Sequence, residues 1–188
     1  MPKKGDIMPD FIAFDVETPN RYNNRICSIG LSYIQNGAVA WTKNYLINPE
    51  TAFDIRNSWI HGIYEEDVAQ CPAFPEVWRE IRPLFFSGVA VAHNAAFDLR
   101  VLRQTLASYD IEEPPLSYVC TLCIARREIK GLPNYRLPTL CQYVGCDLTH
   151  HDSGSDSRGC AEILCHLLRR GLDIRPYIRE FPLAETNL

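Results

Sequence analysis

Residues 11–18 read FIAFDVET, and this stretch decides the fold prediction. Apolar residues surround the two acids, which is typical of a buried strand, predicted here over residues 10–17. Asp15 and Glu17 are two positions apart, so both side chains point to one face, about 7 Å apart, while Val16 points to the other. Two carboxylates on a buried strand repel each other unless a cation lies between them. We therefore expect a metal site, rather than solvated acids on an edge strand.

The remaining pattern predicts a mixed sheet with helices around it. Strands at 25–34 and 38–47 are joined by the turn dipeptide Asn36-Gly37. The other predicted elements are strands at 89–93 and 116–119 and helices near 64–69, 75–86, 95–107, 121–130, 138–145 and 155–170. Three strands followed by strands alternating with helices predict an α/β fold with a mixed five-stranded sheet. The 188 residues suit one domain, with a core of about 10–170 and a short tail at 171–188.

A second group of polar residues follows the predicted fourth strand, in VAHNAAFDLRVL at 91–102. Asp98 falls in the first turn of the next helix, on the side that faces the core. Taken alone, it is equally well explained as an acid that stabilises the helix N-terminus. His93 and Asn94 end the strand at the carboxyl edge of the sheet, where open α/β sheets tend to bind ligands.

A third group precedes the last predicted helix, in HDSGSD at 151–156. His151 lies in the loop and Asp156 in the first helical turn, with Ser153 or Ser155 as the expected N-cap. A loop histidine is usually an ordinary surface residue, but this one is followed by an acid. Together with the acids upstream, it suggests a carboxylate metal site with a histidine that activates water.

Composition limits the classes of function. The net charge is −4, with 46% hydrophobic and 22% charged residues, as in a globular protein. This balance argues against a polybasic nucleic-acid binder, although not against a nucleic-acid enzyme. No apolar run approaches the roughly 20 residues of a membrane span, and the N-terminus does not resemble a signal peptide. We therefore expect a cytoplasmic protein with no membrane partner, whose eight cysteines are reduced.

Together the motifs resemble the DEDDh branch of the 3′→5′ exonucleases, relatives of the proofreading epsilon subunit of bacterial DNA polymerase III. FDVET is similar to the first motif of that family, HNAAFD to the second, and His151 with Asp156 to the third, H-x(4)-D. RICSIG, WIHGI and RRE…GLPNYRLPTL also match in order and spacing. The likeness covers residues 10–170.

The resemblance implies an RNase H-like core and the release of nucleoside monophosphates from the 3′ end of DNA, with single-stranded or frayed ends preferred. It implies two Mg²⁺ or Mn²⁺ ions held by Asp15, Glu17, Asp98 and Asp156, and His151 as general base. His150 is expected to be dispensable, because only His151 has the motif's spacing to Asp156. Residues that match the family's pocket for the terminal nucleotide are Thr18, His61, Gly62, Asn94 and Phe97.

Three alternatives stay open. The same fold could prefer RNA or oligoribonucleotide 3′ ends, or it could bind nucleic acid, or dock on a partner, without catalysis. Cys120, Cys123, Cys141 and Cys146 could instead form a structural zinc site. The sequence does not identify a polymerase or repair complex as a partner.

Overall fold

Strand β1 (Phe11–Glu17) lies inside a six-stranded mixed sheet in a computed structural model that describes residues 9–184. The strand order is β3-β2-β1-β4-β5-β6. The other strands are β2 (Ser28–Gln35), β3 (Ala38–Leu46), β4 (Val89–Ala92), β5 (Leu116–Cys120) and β6 (Arg179–Phe181). The helices are α1 (Ile55–His61), α2 (Glu65–Val68), α3 (Phe74–Ser87), α4 (Ala96–Ala107), α5 (Thr121–Glu128), α6 (Leu137–Val144) and α7 (Ser153–Arg169).

The sheet combines an antiparallel half with a parallel centre. β1, β2 and β3 pair antiparallel, whereas β1–β4 and β4–β5 are parallel. Asn36 and Gly37 both have positive φ, 53° and 74°, as a two-residue hairpin turn requires. All five predicted strands are present. β6 is a sixth, antiparallel to β5, in the predicted tail, and three residues are too short to show a periodic pattern.

Alternation along β1 assigns its side chains to two different layers. Ile12, Phe14 and Val16 pack in the core formed with α3 and α4. Phe11 and Ala13 pack in the second core, which includes the buried side of α7. Because side chains alternate along a strand, Asp15 and Glu17 share the face of Phe11 and Ala13. The two acids therefore point toward the layer that contains α7.

Helix α7 packs across β1, β2 and β3 on this face. Gly30 of β2 pairs with Asp15 in the sheet, and a Cβ at Gly30 would lie 1.9 Å from the Ser153 carbonyl oxygen. Only a glycine therefore lets the first turn of α7 approach the strand so closely. The Ser28 and Ser153 hydroxyls, 2.6 Å apart, join the same two elements.

The predicted helices lie within two residues of observed ones, but one helix was not predicted and one N-cap was predicted wrongly. The helix that was not predicted is α1, Ile55–His61. The N-cap of α7 is Asp152, whose carboxylate accepts the Ser155 N–H at 2.7 Å, rather than Ser153 or Ser155. Gly159 lies inside α7, where a Cβ would be only 2.7 Å from the Cys141 sulfur of α6. A glycine at this position therefore lets α6 and α7 pack closely.

Candidate active site

Three of the four predicted carboxylates meet at the end of β1. Each of Asp15, Glu17 and Asp156 has an oxygen within 4.8 Å of an oxygen of the other two. Asp15 and Glu17 come from β1, and Asp156 comes from the first turn of α7, the helix that faces them. This arrangement follows from the alternation along β1 and from the close contact of α7 with Gly30.

Asp98 approaches the same region from helix α4. It is 3% exposed in the first turn of that helix. Its carboxylate accepts hydrogen bonds from its own main-chain N–H and from that of Val16. The parallel ladder between β1 and β4 covers only Phe11–Ala13, so it ends before Val16 and leaves room for this contact. Asp98 is therefore bonded to the main chain between the two β1 acids.

Burial and mutual repulsion disfavour the charged form of these carboxyl groups. Burial raises the pKa of Asp15 well above its ordinary value, and the Asp98 carboxylate raises it further. Burial, reinforced by Asp156, raises the pKa of Glu17 to about 8. The pKa of Asp98 is also raised to about 8, chiefly by burial. Burial raises the pKa of Asp156, against hydrogen bonds from His151 and His150. A divalent cation among the four acids would stabilise their charged forms.

Two adjacent histidines contact Asp156 differently. His150 Nδ1 lies 3.0 Å from Asp156 Oδ2, and the main-chain N–H of His151 donates to the same oxygen at 3.0 Å. Burial, together with the charge of His150, lowers the pKa of His151. The charge of His151 is among the causes that lower the pKa of His61, after burial. The charge of His150 is likewise among the causes that lower the pKa of His93.

His61 and Thr18 form a second polar group beside the acids. The Ile63 N–H donates to His61 Nδ1 at 3.1 Å, so the ring proton is on Nε2, which donates to the Thr18 carbonyl at 3.2 Å. Burial lowers the pKa of His61, which favours this neutral form. Asn57 Nδ2 donates to the same carbonyl at 3.0 Å. Gly62 ends α1 in the left-handed conformation, with φ 73°.

The loop after Thr18 is held by Asn20. This residue is buried, donates to the Ala52 carbonyl at 2.9 Å and accepts the Tyr22 N–H. The Pro19-Asn20 dipeptide thus builds a loop that is anchored to the segment before α1. The Asp54 N–H donates to the Pro19 carbonyl at 2.8 Å, which strengthens the anchor.

Asn94 and Phe97 lie at the turn between β4 and α4. Asn94 is exposed and left-handed, with φ 64°, and its carbonyl accepts the Phe97 N–H at 3.0 Å. Phe97 is half-buried against the first core, so it has a packing role. Both precede Asp98 in the chain. Within residues 9–184, no hydrogen bond joins either residue to Thr18, His61 or Gly62.

Sequence reasoning missed three polar contacts around the acids. Asn57 is four residues before His61 on α1, so both reach Thr18 from one helical face. His93 Nδ1 bonds the Thr121 hydroxyl and Nε2 the Tyr135 carbonyl, and burial lowers its pKa to about 4. The third is the contact of His150 with Asp156. Recognising α1 as a helix would have revealed the spacing of Asn57 and His61.

The cysteines do not form the zinc site considered above. All eight are unpaired, and Cys27, Cys141, Cys160 and Cys165 are buried. Within residues 9–184, the groups of three or more potential metal ligands contain the acids and histidines already described and no cysteine. The buried thiols belong to the apolar packing, as expected of reduced cysteine.

Comparison with known proteins agrees with this geometry. The family model RNase_T, described as "Exonuclease", matches residues 12–164. The chain belongs to this exonuclease family. The predicted DEDDh resemblance and RNase H-like α/β fold are confirmed, and the protein is a nuclease of the hydrolase class.

Three relatives illustrate the range of the exonuclease family. A DNA polymerase III PolC-type protein of Oceanobacillus iheyensis is 29% identical over 163 residues, which cover 85% of this chain and 11% of that protein. A DNA polymerase III subunit epsilon-like protein of Rhodobacter capsulatus is 29% identical, over 84% of this chain and 23% of its own. Exonuclease X in complex with 5′ overhanging duplex DNA superposes with a TM-score of 0.70 at 25% identity, covering 88% of this chain and 95% of that one.

The chain thus spans a small part of the two polymerase-related proteins. None of the helices in residues 9–184 has the length and apolar character of a membrane span.

Proposed function

We propose that this exonuclease domain removes nucleoside monophosphates from the 3′ end of DNA in a reaction that depends on divalent metal. The observation that supports this most strongly is the convergence of Asp15, Glu17 and Asp156 at the end of β1, with the buried Asp98 bonded to the Val16 main chain between the two β1 acids. Such a concentration of buried and half-buried carboxylates with raised pKa values is typical of a functional site rather than of a structural one.

The donor set fits Mg²⁺ or Mn²⁺. Asp15, Glu17, Asp98 and Asp156 offer carboxylate oxygens, the hard ligands that these ions prefer, and their raised pKa values show that the folded chain lacks compensating positive charge there. We assign these four residues to two ions. When bound, the ions would stabilise the charges on the attacking and leaving oxygens of the phosphodiester.

His151 is our proposed general base. Its side chain is exposed to solvent, and its charge contributes to the lowered pKa of His61. Burial and His150 lower the pKa of His151, so the ring is neutral at pH 7 and can accept a proton from the attacking water. The main-chain N–H of His151 donates to Asp156 Oδ2 at 3.0 Å, which ties the residue to the proposed metal ligands.

The terminal nucleotide is proposed to enter between the α1 side and the β4–α4 turn. Thr18, His61 and Gly62 would form one wall, and Asn94 and Phe97 the other. The wall on the α1 side is rigid, because the Thr18 carbonyl is held by both Asn57 and His61. A duplex end must be unstacked before its last nucleotide enters such a pocket, at a cost of a few kcal/mol. We therefore expect single-stranded or frayed ends to be degraded faster than blunt ends.

DNA is favoured over RNA by the relatives. Exonuclease X, the structural relative at 25% identity, is bound to duplex DNA, and two other relatives are DNA polymerase III proteins. An association with a polymerase is supported by the same relatives. The eight unpaired cysteines favour a reducing compartment, so we place the activity in the cytoplasm.

The decisive experiment uses one oligonucleotide sequence as DNA and as RNA, labelled at the 5′ or the 3′ end, with Mg²⁺, Mn²⁺ or EDTA. A 3′ label should leave at once as a mononucleotide, and a 5′ label should pass through a ladder of shortening products. Faster decay of RNA would select the ribonuclease alternative. Undiminished hydrolysis in EDTA would refute the metal-dependent reaction, and binding without hydrolysis would indicate a non-catalytic module.

The pocket geometry is tested with the same DNA strand, free and annealed as a blunt duplex. We expect the free strand to be shortened faster, since it pays no unstacking cost. Equal rates on both would contradict the proposed entry of an unstacked terminal nucleotide. Asp15→Asn protein, purified in parallel, shows whether a contaminating nuclease contributes to any signal.

A further inference from the structure

We propose that His150 is a positioning residue, which orients the Asp156 carboxylate for metal and fixes the ring of His151 beside it. The inference rests on the proposed function, because it assigns a role to His150 within that site. Its basis is a contact that the H-x(4)-D spacing does not predict, and the proposal replaces the expectation that His150 is dispensable. His150 Nδ1 lies 3.0 Å from Asp156 Oδ2 and 3.3 Å from Oδ1.

The side chains of Asp156 and His150 differ in exposure, and this difference indicates that His150 orients Asp156 rather than the reverse. The Asp156 side chain is 4% exposed, whereas that of His150 is 43% exposed. A buried carboxylate needs donors from the protein, and Asp156 receives two from one loop, the His150 ring and the His151 main chain. Since a carboxylate only accepts, His150 must carry a proton on Nδ1. Its remaining nitrogen, Nε2, is not needed for this bond.

The backbone explains how two neighbouring residues can serve one site. Consecutive side chains normally point in different directions in a strand or a helix. His151 is left-handed, with φ 69°, and this kink brings the two imidazole rings together, with centroids 3.9 Å apart and planes inclined by 20°. The stack gives the His151 ring a neighbour on one face, which limits its orientations.

Asp156, His150 and His151 therefore form one linked unit. The His150 ring and the His151 main-chain N–H both donate to the carboxylate, and the His151 ring stacks on that of His150. Ligands of a metal are commonly oriented by such outer hydrogen bonds, and loss of one costs about 10–100-fold in metal affinity or activity. Loss of His150 would thus chiefly weaken metal binding, whereas loss of His151 would chiefly slow the chemical step.

The test measures Mn²⁺ binding to the full chain by calorimetry, without nucleic acid. His150→Ala should weaken Mn²⁺ binding by about 10–100-fold. His150→Asn should restore most of it, because its Nδ2–H₂ can replace the Nδ1 donor. His151→Ala should bind Mn²⁺ nearly as wild type does, because alanine keeps the main-chain N–H to Asp156. Wild-type binding by His150→Ala, or no recovery in a folded His150→Asn, would overturn the proposal.

Binding without substrate separates this proposal from the proposed function. If wild type binds Mn²⁺ and the variants behave as described, but no nucleic acid is hydrolysed, the proposed function fails and the positioning role stands. If hydrolysis is observed while His150→Ala binds Mn²⁺ normally, the positioning role fails alone. Failure of wild type to bind Mn²⁺ overturns both. Thermal unfolding of each variant shows that lost binding is not lost folding.

Discussion

The site combines two regions that are built differently. Asp15 and Glu17 lie on β1, where they pair with Gly30 and Ser28 of β2, so the antiparallel ladder determines their direction. His150 and His151 lie on the loop before α7, where a left-handed residue and side-chain bonds determine the geometry. The strand holds its acids by main-chain pairing, and the loop holds its histidines by contacts with Asp156 and with each other. The β1 carboxylates and the proposed proton transfer thus depend on different kinds of contact.

Because of this difference, substitutions in the two regions should have different effects on metal binding and activity. A change on β1 removes a ligand whose position nothing else can replace. A change in the loop leaves the acids on the sheet in place and alters how Asp156 and the proposed base meet them. The contact between Gly30 and Ser153 connects the two regions, so a change there should affect both.

The largest effect is expected from Asp15→Asn, which removes a charge from β1 while keeping the shape of the side chain. We expect no detectable nuclease activity. The metal-free variant should unfold at a higher temperature than wild type, because the repulsion that raises the pKa of Asp15 is gone. Asp10→Asn, just before the other end of the strand, is the matched control. An active Asp15→Asn enzyme would contradict a role for the strand acids.

His151→Ala should lower the rate at saturating metal by about 10²–10⁴-fold, the usual contribution of a general base. A base must be unprotonated to work, so wild-type activity should fall as the pH drops through its pKa. Since burial and His150 lower that pKa, the fall should lie below pH 6.5. The pH–rate profile of His151→Ala should lack it. His166→Ala, in the same chain but outside the site, serves as control; an unchanged rate in His151→Ala would refute the assignment.

Gly30→Ala tests the connection between strand and loop. Its Cβ would lie 1.9 Å from the Ser153 oxygen and 2.1 Å from its carbonyl carbon, so the first turn of α7 must move. Overpacking of this kind costs about 1–3 kcal/mol, or about 2–4 °C in Tm for each kcal/mol. Because the shift displaces Asp156, Mn²⁺ affinity should also fall. Gln35→Ala, at the exposed end of β2, is the control, and a wild-type Tm for Gly30→Ala would contradict the close contact.

The smallest effect concerns the pH dependence of stability without metal. Raised pKa values of about 8 mean that Glu17 and Asp98 hold more protons in the folded protein than in the unfolded chain up to about pH 8. The lowered pKa of His93, about 4, acts in the opposite direction below its ordinary value of 6.5. Stability in EDTA should therefore fall as the pH rises from about 6.5 to about 8, by at least about 1 kcal/mol, or about 2–4 °C in Tm. Mg²⁺ should reverse the loss at pH 8. A melting temperature in EDTA that rises toward pH 8 would contradict the buried acids.

Sequence alone predicted the strand region well because its evidence is local. The acids alternate with Val16 on one apolar strand, and this alternation is enough to place both on one face. Asp98 and Asp156 could be assigned to first helical turns for a similar reason, since each follows a recognisable helix start. The close approach of α7 to β2 at Gly30 was not predicted, because no pattern in one segment reveals what packs against it.

Helix α1 and the loop before α7 were predicted less completely than the strand, for physical reasons. Helix α1 exposes Trp59 at 72% and Ile60 at 56%, so it lacks the apolar stripe that announces a surface helix. The Asn57 and His61 contacts with Thr18 depend on that helix and were missed with it. His150 could not be assigned because the left-handed turn at His151, which aligns the two rings, is a property of the folded backbone.

The tautomer of His61 bears on which nucleobases the enzyme could distinguish. Nδ1 accepts from Ile63 and Nε2 donates to Thr18, so neither ring nitrogen remains to read the edge of a base. A nucleotide in the proposed pocket would meet only the face of the imidazole, and stacking on a ring face is tolerant of base identity. An exonuclease must remove whichever nucleotide comes next. The internal bonds of His61 thus favour digestion that is indifferent to sequence.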